Sequence, residues 1–256
     1  MQIIHEPEVF LLARQAFQDD IGPEFIAPAG MVWETDAPSA AEQVVEFGGR
    51  VCYMSFGKGR KSNREYIGNI LEAKHGSVIE HAVWTFLITG VSRSLTHELI
   101  RHRAGFSYSQ LSQRYVDETT ADFVEPDVVA ADPAAHAVFL EAVAAAQAAY
   151  VKLVDLLDAR MAEIPTRTAR RKAARQAARA VLPNATETKI VVTANARAWR
   201  HFIEMRASEH AEPEIRKLAI LILRRLREEA PNLFGDYEIV AAPDATEIAV
   251  TPHEKV

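Results

Sequence analysis

The sequence contains one cysteine, Cys52, among its 256 residues. An internal disulfide and a cysteine-rich zinc site are therefore excluded, because each requires at least two thiols. Hydrophobic residues make up 48% of the chain and charged residues 25%, which is a globular composition and excludes the disordered and collagen-like classes. A chain of this length can bury a full core without disulfides or structural metals.

Signals for membrane insertion and secretion are also missing. No segment approaches the roughly 20 uninterrupted apolar residues that span a bilayer, and the N-terminus has no basic leader followed by an apolar run. A single thiol suits a reducing compartment, so we expect a cytoplasmic protein that does not bind a membrane. The formal net charge of −6 disfavours a general affinity for nucleic acid.

Several familiar catalytic motifs do not occur. The sequence has no Gly-x-Gly-x-x-Gly, no P-loop and no Gly-x-Ser-x-Gly. His75, Glu80 and His81 are close in sequence, but their spacing is not that of a His-Glu-x-x-His site, and we predict no metal. Cys52 ends an apolar helix face with only Arg50 as a nearby cation, so we predict a buried structural thiol and not a nucleophile.

The hydrophobic pattern predicts an α+β fold in a single domain, with mixed helices around an antiparallel sheet. Residues 1–35 and 238–256 are predicted to be peripheral to this domain. Alternating β-rich stretches indicate strands, and apolar residues at helical spacing after capping residues indicate helices. The predicted strands are 82–90 and 188–193, and the predicted helices are 39–53, 63–74 with Asn63 as its cap, 92–103, a long alanine-rich helix starting at Asp132-Pro133, 166–181, 196–207 and 213–229.

The densest polar segment of the sequence runs from Glu98 to Tyr115. It places three arginines, a histidine and several hydroxyls around a turn at Gly105. The planar fork of arginine suits phosphate and carboxylate oxygens, and Glu98 and Gln110 can read the edge of a base or ribose. A fully solvated charged face is the alternative interpretation. It fits poorly, because aromatic and aliphatic side chains are interleaved with the charged ones.

A second basic cluster occupies the predicted helix from Arg170 to Arg179. Arg171, Arg175 and Arg179 are four residues apart and share one helix face. Like charges at this spacing destabilise an isolated helix, so we expect an anion to face them. Carboxylates of a neighbouring subunit, a nucleic acid and a phosphorylated ligand all remain open, as does a plain exposed helix surface.

A third cluster runs from Asn195 to Arg206. Arg197 and His201 are four residues apart, so both side chains can point into one pocket. Asn195 is predicted to cap the helix that carries them.

The triplets Arg101-His102-Arg103 and Ser112-Gln113-Arg114 resemble the hallmark of the flavin-dependent thymidylate synthases, which is Arg-His-Arg, seven residues, then Ser-x-Arg. Eight residues, 104–111, separate the triplets here, and the extra one falls near Ala104-Gly105, where a loop can absorb it. The resemblance extends from about residue 50 to residue 237. Further matching segments are 75–81, 178–183, 195–197 and 205–210.

The resemblance implies an α+β fold unrelated to that of the classical synthase, and a homotetramer with active sites shared between subunits. It also implies FAD as cofactor, NADPH as reductant and 5,10-methylenetetrahydrofolate as one-carbon donor. The reaction would convert dUMP to dTMP and release tetrahydrofolate. Because the classical synthases use a nucleophilic cysteine, the lack of a reactive thiol setting here agrees with the flavin-dependent route.

The resemblance also assigns site residues. Arg206 would be catalytic, lying at the uracil ring and favouring loss of the N3 proton, because a fixed cation stabilises developing negative charge. His81 would belong to the flavin and folate region. The dUMP site would comprise Glu98, Leu99, Ile100, Arg101, Gln110, Leu111, Ser112, Gln113, Arg114, Arg179 and Arg206. FAD would be held by Val83, Arg101, His102, Arg103, Gln110, Asn195, Ala196, Arg197 and His201.

Three competing hypotheses remain at the sequence level. A related flavin enzyme could act on another pyrimidine nucleotide. A nucleic-acid-binding module could use the Arg170–Arg179 helix, although the acidic total charge argues against it. A purely structural oligomer would leave the Arg101–Arg114 segment unexplained.

Overall fold

The structure is a computed structural model, and it describes residues 1–244 and 246–256. The chain forms two compact units, each assembled from three segments. The first unit contains Met1–Glu8, Ile88–Leu99 and Ser109–Ile190, and the second contains Val9–Leu87, Ile100–Tyr108 and Val191–Val256.

Helices and strands are mixed along the chain, which confirms the predicted α+β class. The helices are α1 Ile21–Ile26, α2 Ala40–Val51, α3 Asn63–Glu72, α4 Gly76–Ile79, α5 Arg93–Leu99, α6 Asp127–Ala130, α7 Pro133–Arg160, α8 Arg167–Ala178, α9 Ala196–Arg206, α10 Pro213–Glu229 and α11 Pro231–Phe234. The strands are β1 Ile3–Ile4, β2 Glu8–Arg14, β3 Val83–Ser92, β4 Phe106–Gln110, β5 Phe123–Val124, β6 Glu187–Asn195, β7 Glu238–Ala241 and β8 Glu247–Val250.

Four of the strands form one sheet in the order β2-β3-β6-β4. Two smaller sheets each contain a pair of strands. In the first unit β1 pairs with β5 in parallel, and in the second unit β7 pairs with β8 antiparallel. The segment 238–256, predicted to be peripheral, therefore contains a pair of antiparallel strands.

The first unit is built around the long helix α7 and its neighbour α8. Asp132 caps α7, since its side chain accepts from the N–H groups of Ala134 and Ala135. Pro133 at the first helical position lacks the N–H that a helix start leaves unpaired, which explains why the start was predictable. The start of α8 is fixed in the same way, because the Thr166 hydroxyl accepts from the N–H of Ala169.

Helix α7 has the length and apolar composition of a membrane-crossing helix, although charged residues interrupt it. This is weak evidence for a membrane, since helices that pack inside soluble proteins pass the same test. Much of its apolar side is exposed, including Val138 and Leu156. Val143 and Tyr150 are its buried residues.

The second unit has an aromatic core beneath α9 and α10. The Trp84 and Phe234 ring centroids lie 5.7 Å apart, and those of Phe86 and Trp199 lie 5.5 Å apart, both pairs edge to face. Arg200 is buried in this core, and its two Nη atoms each lie 2.7 Å from a carboxylate oxygen of Asp236. The burial of so many large side chains gives α9 a rigid base.

Two predicted helix ends were wrong. Helix α3 is capped by Ser62, whose hydroxyl accepts from the N–H of Glu65 at 3.2 Å. Asn63 is instead buried, and its amide donates to Glu42 and Glu46. The helix predicted over 92–103 ends at Leu99, because the following residues form a loop and then β4, a strand that was not predicted.

The predicted burial of Cys52 was also wrong. Cys52 follows the last residue of α2 and is exposed. Its Sγ lies 3.5 Å from the carbonyl oxygen of Gly48, so it satisfies a backbone acceptor at the helix end.

Candidate functional site

Within the first unit, the segment that follows β4 is fixed by hydrogen bonds to its neighbours. The Gln110 amide donates to the hydroxyls of Thr96 at 3.0 Å and Thr188 at 3.3 Å. The N–H of Leu111 donates to the carbonyl of Lys189 at 2.9 Å. The Ser112 hydroxyl then accepts from the N–H of Arg114 at 3.4 Å. The second predicted triplet therefore lies on an anchored turn.

Arg93 belongs with this segment and was not predicted. Its Nη1 lies 3.5 Å from the carbonyl oxygen of Leu111. Burial lowers its pKa, Glu118 opposes that change, and the nearby charge of Arg179 lowers the pKa further. Arg93 and Arg179 are thus close enough to repel. In the sequence, the sign that could have pointed to Arg93 as a site residue is a single arginine between a buried strand and a helix.

Arg114 lines a cavity of about 300 Å³ together with the start and middle of α8. Arg175 pairs with Asp117 and donates to the carbonyl of Tyr115 at 2.9 Å, and Lys172 donates to the Tyr115 hydroxyl. The interaction with Lys172 lowers the pKa of Tyr115. The other residues lining the cavity are Arg167, Thr168 and Arg171. Four arginines and a lysine around one cavity make it suitable for an anion.

Three other residues assigned to dUMP lie in the first unit. Leu99 is fully buried, so its side chain belongs to the core and only its main chain could face a ligand. Gln113 is also buried, and its Nε2 has no hydrogen-bond partner among residues 1–244 and 246–256. Glu98 is half-buried on the last turn of α5.

In the second unit, the loop from Ile100 to Gly105 packs against the start of α9. Gly105 has a positive φ of 75°, and a Cβ there would lie 2.9 Å from the Asn195 amide nitrogen. The Asn195 Oδ1 accepts from the N–H of Ala198 at 2.9 Å, which confirms the predicted cap. The loop therefore rests on the capping residue of the helix.

The His102 ring lies in an aromatic cluster of the second unit. Its centroid is 5.2 Å from that of Phe202, 5.8 Å from that of His201 and 6.0 Å from that of Phe106. The carbonyl of His102 accepts from the Tyr108 hydroxyl at 2.5 Å. Burial, with the charges of Arg206 and His201, lowers the pKa of His102 to about 4. The imidazole is therefore neutral at neutral pH.

Arg206 lies in the last turn of α9 and contacts this ring directly. Its Nε donates to Nε2 of His102 at 3.0 Å. An accepting Nε2 requires the ring proton to be on Nδ1, which assigns the tautomer. The catalytic candidate and the middle residue of the Arg-His-Arg triplet are thus brought together, 104 residues apart in sequence.

The remaining FAD candidates of the second unit lie on α9, at the start of β3 and on the loop before β4. Arg197 is exposed, and its Nη1 lies 2.7 Å from Oε1 of Glu80. His201 is exposed one turn later, whereas Ala196 is buried at the first helical position. The N–H of Val83 donates to the Gln15 side chain at 2.9 Å, so this group is already engaged. Arg101 and Arg103 are exposed on the loop before β4. Ile100, which directly precedes Arg101, is exposed as well.

Comparison with known proteins identifies the family. A family model described as thymidylate synthase complementing protein matches residues 35–232. The chain belongs to this family. It is 56% identical over 232 residues to the flavin-dependent thymidylate synthase of Mycolicibacterium gilvum, covering 90% of this chain and 92% of that protein. The proteins of that name from Mycobacteroides abscessus and Mycobacterium tuberculosis strain H37Ra are 54% and 53% identical over the same coverage.

The thymidylate synthase complementing protein match covers both triplets and all of the assigned residues. It therefore includes the Ala104-Gly105 insertion within a matching region. Among residues 1–244 and 246–256, no group of three or more His, Cys, Asp and Glu side chains lies together as a metal site would require.

Proposed function

We propose that this chain is a flavin-dependent thymidylate synthase that methylates dUMP to dTMP with FAD as its cofactor. The relatives of that name match 90% of the chain and support the proposal. The observation that carries it is the contact between His102 and Arg206 at the start of the Arg-His-Arg loop and the end of α9. This contact joins the triplet assigned to FAD to the cation assigned to the uracil ring.

The residues assigned to FAD have the chemistry that this cofactor requires. Exposed Arg101, Arg103 and Arg197 offer cations for a pyrophosphate, and His201 adds a polar ring. The neutral ring of His102 and its aromatic neighbours offer an apolar surface for a planar ring system. Since the chain lacks a Gly-x-Gly-x-x-Gly loop, side chains must hold the phosphates. Bound FAD would supply the redox chemistry of the reaction.

The arginines of the first unit suit the phosphate of dUMP. Arg93 and Arg179 are close enough for their charges to repel, and Arg114 lines a cavity in which cations predominate. A doubly charged phosphate relieves such repulsion and accepts several charged hydrogen bonds. Two threonine hydroxyls hold the Gln110 amide, which supports its proposed contact with dUMP.

Arg206 provides the electrostatic part of the proposed chemistry. A guanidinium stays protonated at any physiological pH, so it presents a permanent positive charge. Placed at the uracil ring, that charge favours loss of the N3 proton and stabilises the negative charge that develops on the pyrimidine. No side chain of this chain needs to act as a nucleophile in this role.

We further propose NADPH as the reductant, 5,10-methylenetetrahydrofolate as the one-carbon donor and tetrahydrofolate as a product. We also propose a single-domain cytoplasmic protein that forms a homotetramer with active sites shared between subunits. The exposed apolar side of α7 supports the association of copies. His81, exposed before β3, remains assigned to the flavin and folate region.

Release of tritium from 5-tritiated dUMP, with FAD, NADPH and methylenetetrahydrofolate present, tests the proposed activity. Arg206→Ala should lower turnover by roughly 100-fold or more, because it removes a fixed charge from the reacting ring. The variant should keep the flavin absorbance of a folded protein. Arg225→Ala, which removes an exposed arginine on α10, is the matched control and should turn over normally.

The competing functions have their own outcomes in the same experiments. If the wild-type protein releases no tritium from dUMP but turns over another pyrimidine nucleotide, the related-enzyme hypothesis is correct. Salt-dependent binding of RNA or DNA that Arg171→Ala weakens would favour a nucleic-acid module. The pairing of Arg175 with Asp117 argues against that module, because Asp117 neutralises one of the cations on the basic face of α8.

A further inference from the structure

Arg197, at the start of α9, is held from two sides by residues of the second unit. Its Nε donates to the carbonyl oxygen of Val256 at 3.1 Å, and its Nη1 lies 2.7 Å from Oε1 of Glu80. Because a guanidinium is planar, acceptors at Nε and Nη1 also set the direction of Nη2. Arg197 lines a cavity of about 600 Å³ together with His75 and Ser77. The orientation of a cavity arginine therefore depends on a residue 59 positions later in the sequence.

Gly76 leaves the space in which Arg197 and Val256 meet. A Cβ at this position would lie 2.7 Å from Nε of Arg197 and 2.7 Å from the carbonyl carbon of Val256. The φ of Gly76 lies outside the left-handed region, so the glycine serves close packing and not an unusual backbone conformation. The contact between Arg197 and Val256 is therefore closely packed against the start of α4.

The segment 251–256, called the strap below, is anchored before it reaches Arg197. The Thr251 hydroxyl donates to the carboxylate of Asp236. The carbonyl of His253 accepts from Nη2 of the buried Arg200 at 3.2 Å. The strap is thus tied to the same buried ion pair that lies in the core beneath α9.

Lys255 fixes the last step of the strap through its backbone. Its φ is 56°, a value that residues with a Cβ rarely adopt. Its N–H donates to Oε2 of Glu204 on α9 at 3.0 Å, and the next residue, Val256, is buried. An unusual backbone conformation of this kind persists where the surrounding contacts determine it. The strap therefore follows one defined path along α9.

We propose that the strap is a positioning element of the flavin site, which orients Arg197 through the carbonyl of Val256 and presents its guanidinium to a phosphate of FAD. This inference rests on the proposed function, since that function assigns Arg197 to FAD. A donor that is already oriented loses less side-chain entropy when the ligand binds, so the strap strengthens binding without touching FAD. The ion pair with Glu80 is nearly half exposed on both sides, so water screens it and Arg197 can still bind an anion.

Two substitutions of Lys255 separate the path of the strap from the charge of this exposed side chain. Lys255→Pro fixes φ at about −65° and removes the N–H that Glu204 accepts, so it should move Val256 away from Arg197. Lys255→Gly removes the same charge but keeps the N–H and adopts the observed φ without strain. Titration of FAD-free protein with FAD, followed by absorbance, should give a Kd raised about 5- to 20-fold in Lys255→Pro and changed by less than about twofold in Lys255→Gly. Equal Kd values for Lys255→Pro and the wild type would overturn the proposal.

A double variant shows whether the strap acts through Arg197. Arg197→Ala alone should raise the Kd for FAD by about tenfold. Adding Lys255→Pro to it should raise the Kd no further, because the strap then has no guanidinium to orient. If Lys255→Pro raises the Kd by the same factor with and without Arg197, the strap supports only the fold and the positioning role is wrong.

A milder pair of variants keeps the test decisive if proline prevents folding. Thr251→Val removes the hydroxyl that donates to Asp236 and accepts from the N–H of His253, whereas Thr251→Ser keeps it. Thermal unfolding identifies the folded variants, and only these are compared. Thr251→Val should raise the Kd for FAD by about 3- to 5-fold, and only in the presence of Arg197, while Thr251→Ser should bind FAD as the wild type does. A wild-type Kd in Thr251→Val would contradict the inference.

Hydrogen exchange in the absence of FAD distinguishes this inference from the proposed synthase activity. The peptide amides of the strap should be protected in the wild type and in Lys255→Gly, and should exchange faster in Lys255→Pro, as measured by mass spectrometry. Unprotected amides in a wild-type protein that binds FAD would overturn the role of the strap and leave the proposed function intact. A wild-type protein with a protected strap that binds no FAD would instead overturn the proposed function, and with it the ligand assigned to Arg197.

Discussion

Gly105 forms a turn in the segment where the extra residue of the Arg-His-Arg motif is predicted to lie. The N–H of Phe106 donates to the carbonyl of Arg103, so the chain turns at Ala104 and Gly105. Gly105 has a φ of 75°, where side chains with a Cβ are strained. The sequence motif predicts that the extra residue falls near Ala104-Gly105, and the structure has a turn at these two residues. It could not show that the turn rests on Asn195, because that contact joins segments about 90 residues apart in sequence.

Gly105→Ala should weaken FAD binding and lower the thermal stability of the protein. A Cβ at this position would lie 2.9 Å from the Asn195 amide nitrogen and from Cβ of Ala198, in addition to the backbone strain of about 1–2 kcal/mol. Gly59→Ala is the control, since Gly59 has a φ of 76° and open space around its Cβ position. Thermal unfolding and FAD titration by absorbance are compared for the two variants. Equal losses in both would show that the contact with Asn195 contributes nothing.

Helix ends in this chain were predictable where their signals are local. Asn195, Asp132 and Thr166 each cap the helix that follows, and the helices they start lie where the sequence placed them. The end of α5 was not predictable, because residues beyond Leu99 are drawn into a loop by the hydrogen bond between Tyr108 and the His102 carbonyl. Strand β4 was not predicted either, because it pairs with β6, which begins about 80 residues later in the sequence.

Helices α2 and α11 meet through a buried carboxylate, which predicts a pH dependence of stability. Glu42 on α2 accepts from the N–H groups of Asn232 and Leu233, yet burial raises its pKa from 4.5 to about 7. Because the folded pKa is above the unfolded one, the folded state binds the proton more tightly. Below pH 4.5 Glu42 is protonated in both states and does not lower the free energy of unfolding. As the pH rises from 4.5 to about 7, its ionisation lowers the free energy of unfolding increasingly.

Glu42→Gln should remove this dependence, because the amide oxygen can still accept from α11 but cannot ionise. The variant and the wild type should be similarly stable below the ordinary glutamate pKa of 4.5, and the variant should be the more stable above pH 7. The melting temperatures of both proteins are measured across this range. Glu65→Gln on α3 is the control, since it replaces an exposed glutamate. A constant difference between Glu42→Gln and the wild type at every pH would contradict the assignment.

At the scale of the whole molecule, the net charge of −6 conceals an uneven distribution of arginines. The pattern of triplets located the arginines of both units, and the resemblance to a family supplied their roles. Neither the triplets nor the resemblance indicated Arg93, because a single arginine between a strand and a helix has no distinctive spacing. Only the folded chain brings Arg93 near Arg179. Composition likewise could not show that α7 exposes its apolar side, since helical periodicity is weak in a helix so rich in alanine.

The exposed side of α7 predicts how copies of this chain associate. Leu156 is 49% exposed and lines a shallow cavity of about 610 Å³ with Val151 and Gln147. Exposed apolar surface of this kind is typical of protein–protein contacts. Light scattering should give a mass near four times 28.4 kDa for the wild type, and a smaller one for Leu156→Glu, because a buried charge at a contact is costly. Val32→Glu, an exposed apolar position in the second unit, is the control and should leave the mass unchanged. A wild-type mass of one chain, together with co-sedimentation on lipid vesicles, would show that α7 meets a membrane and not another copy.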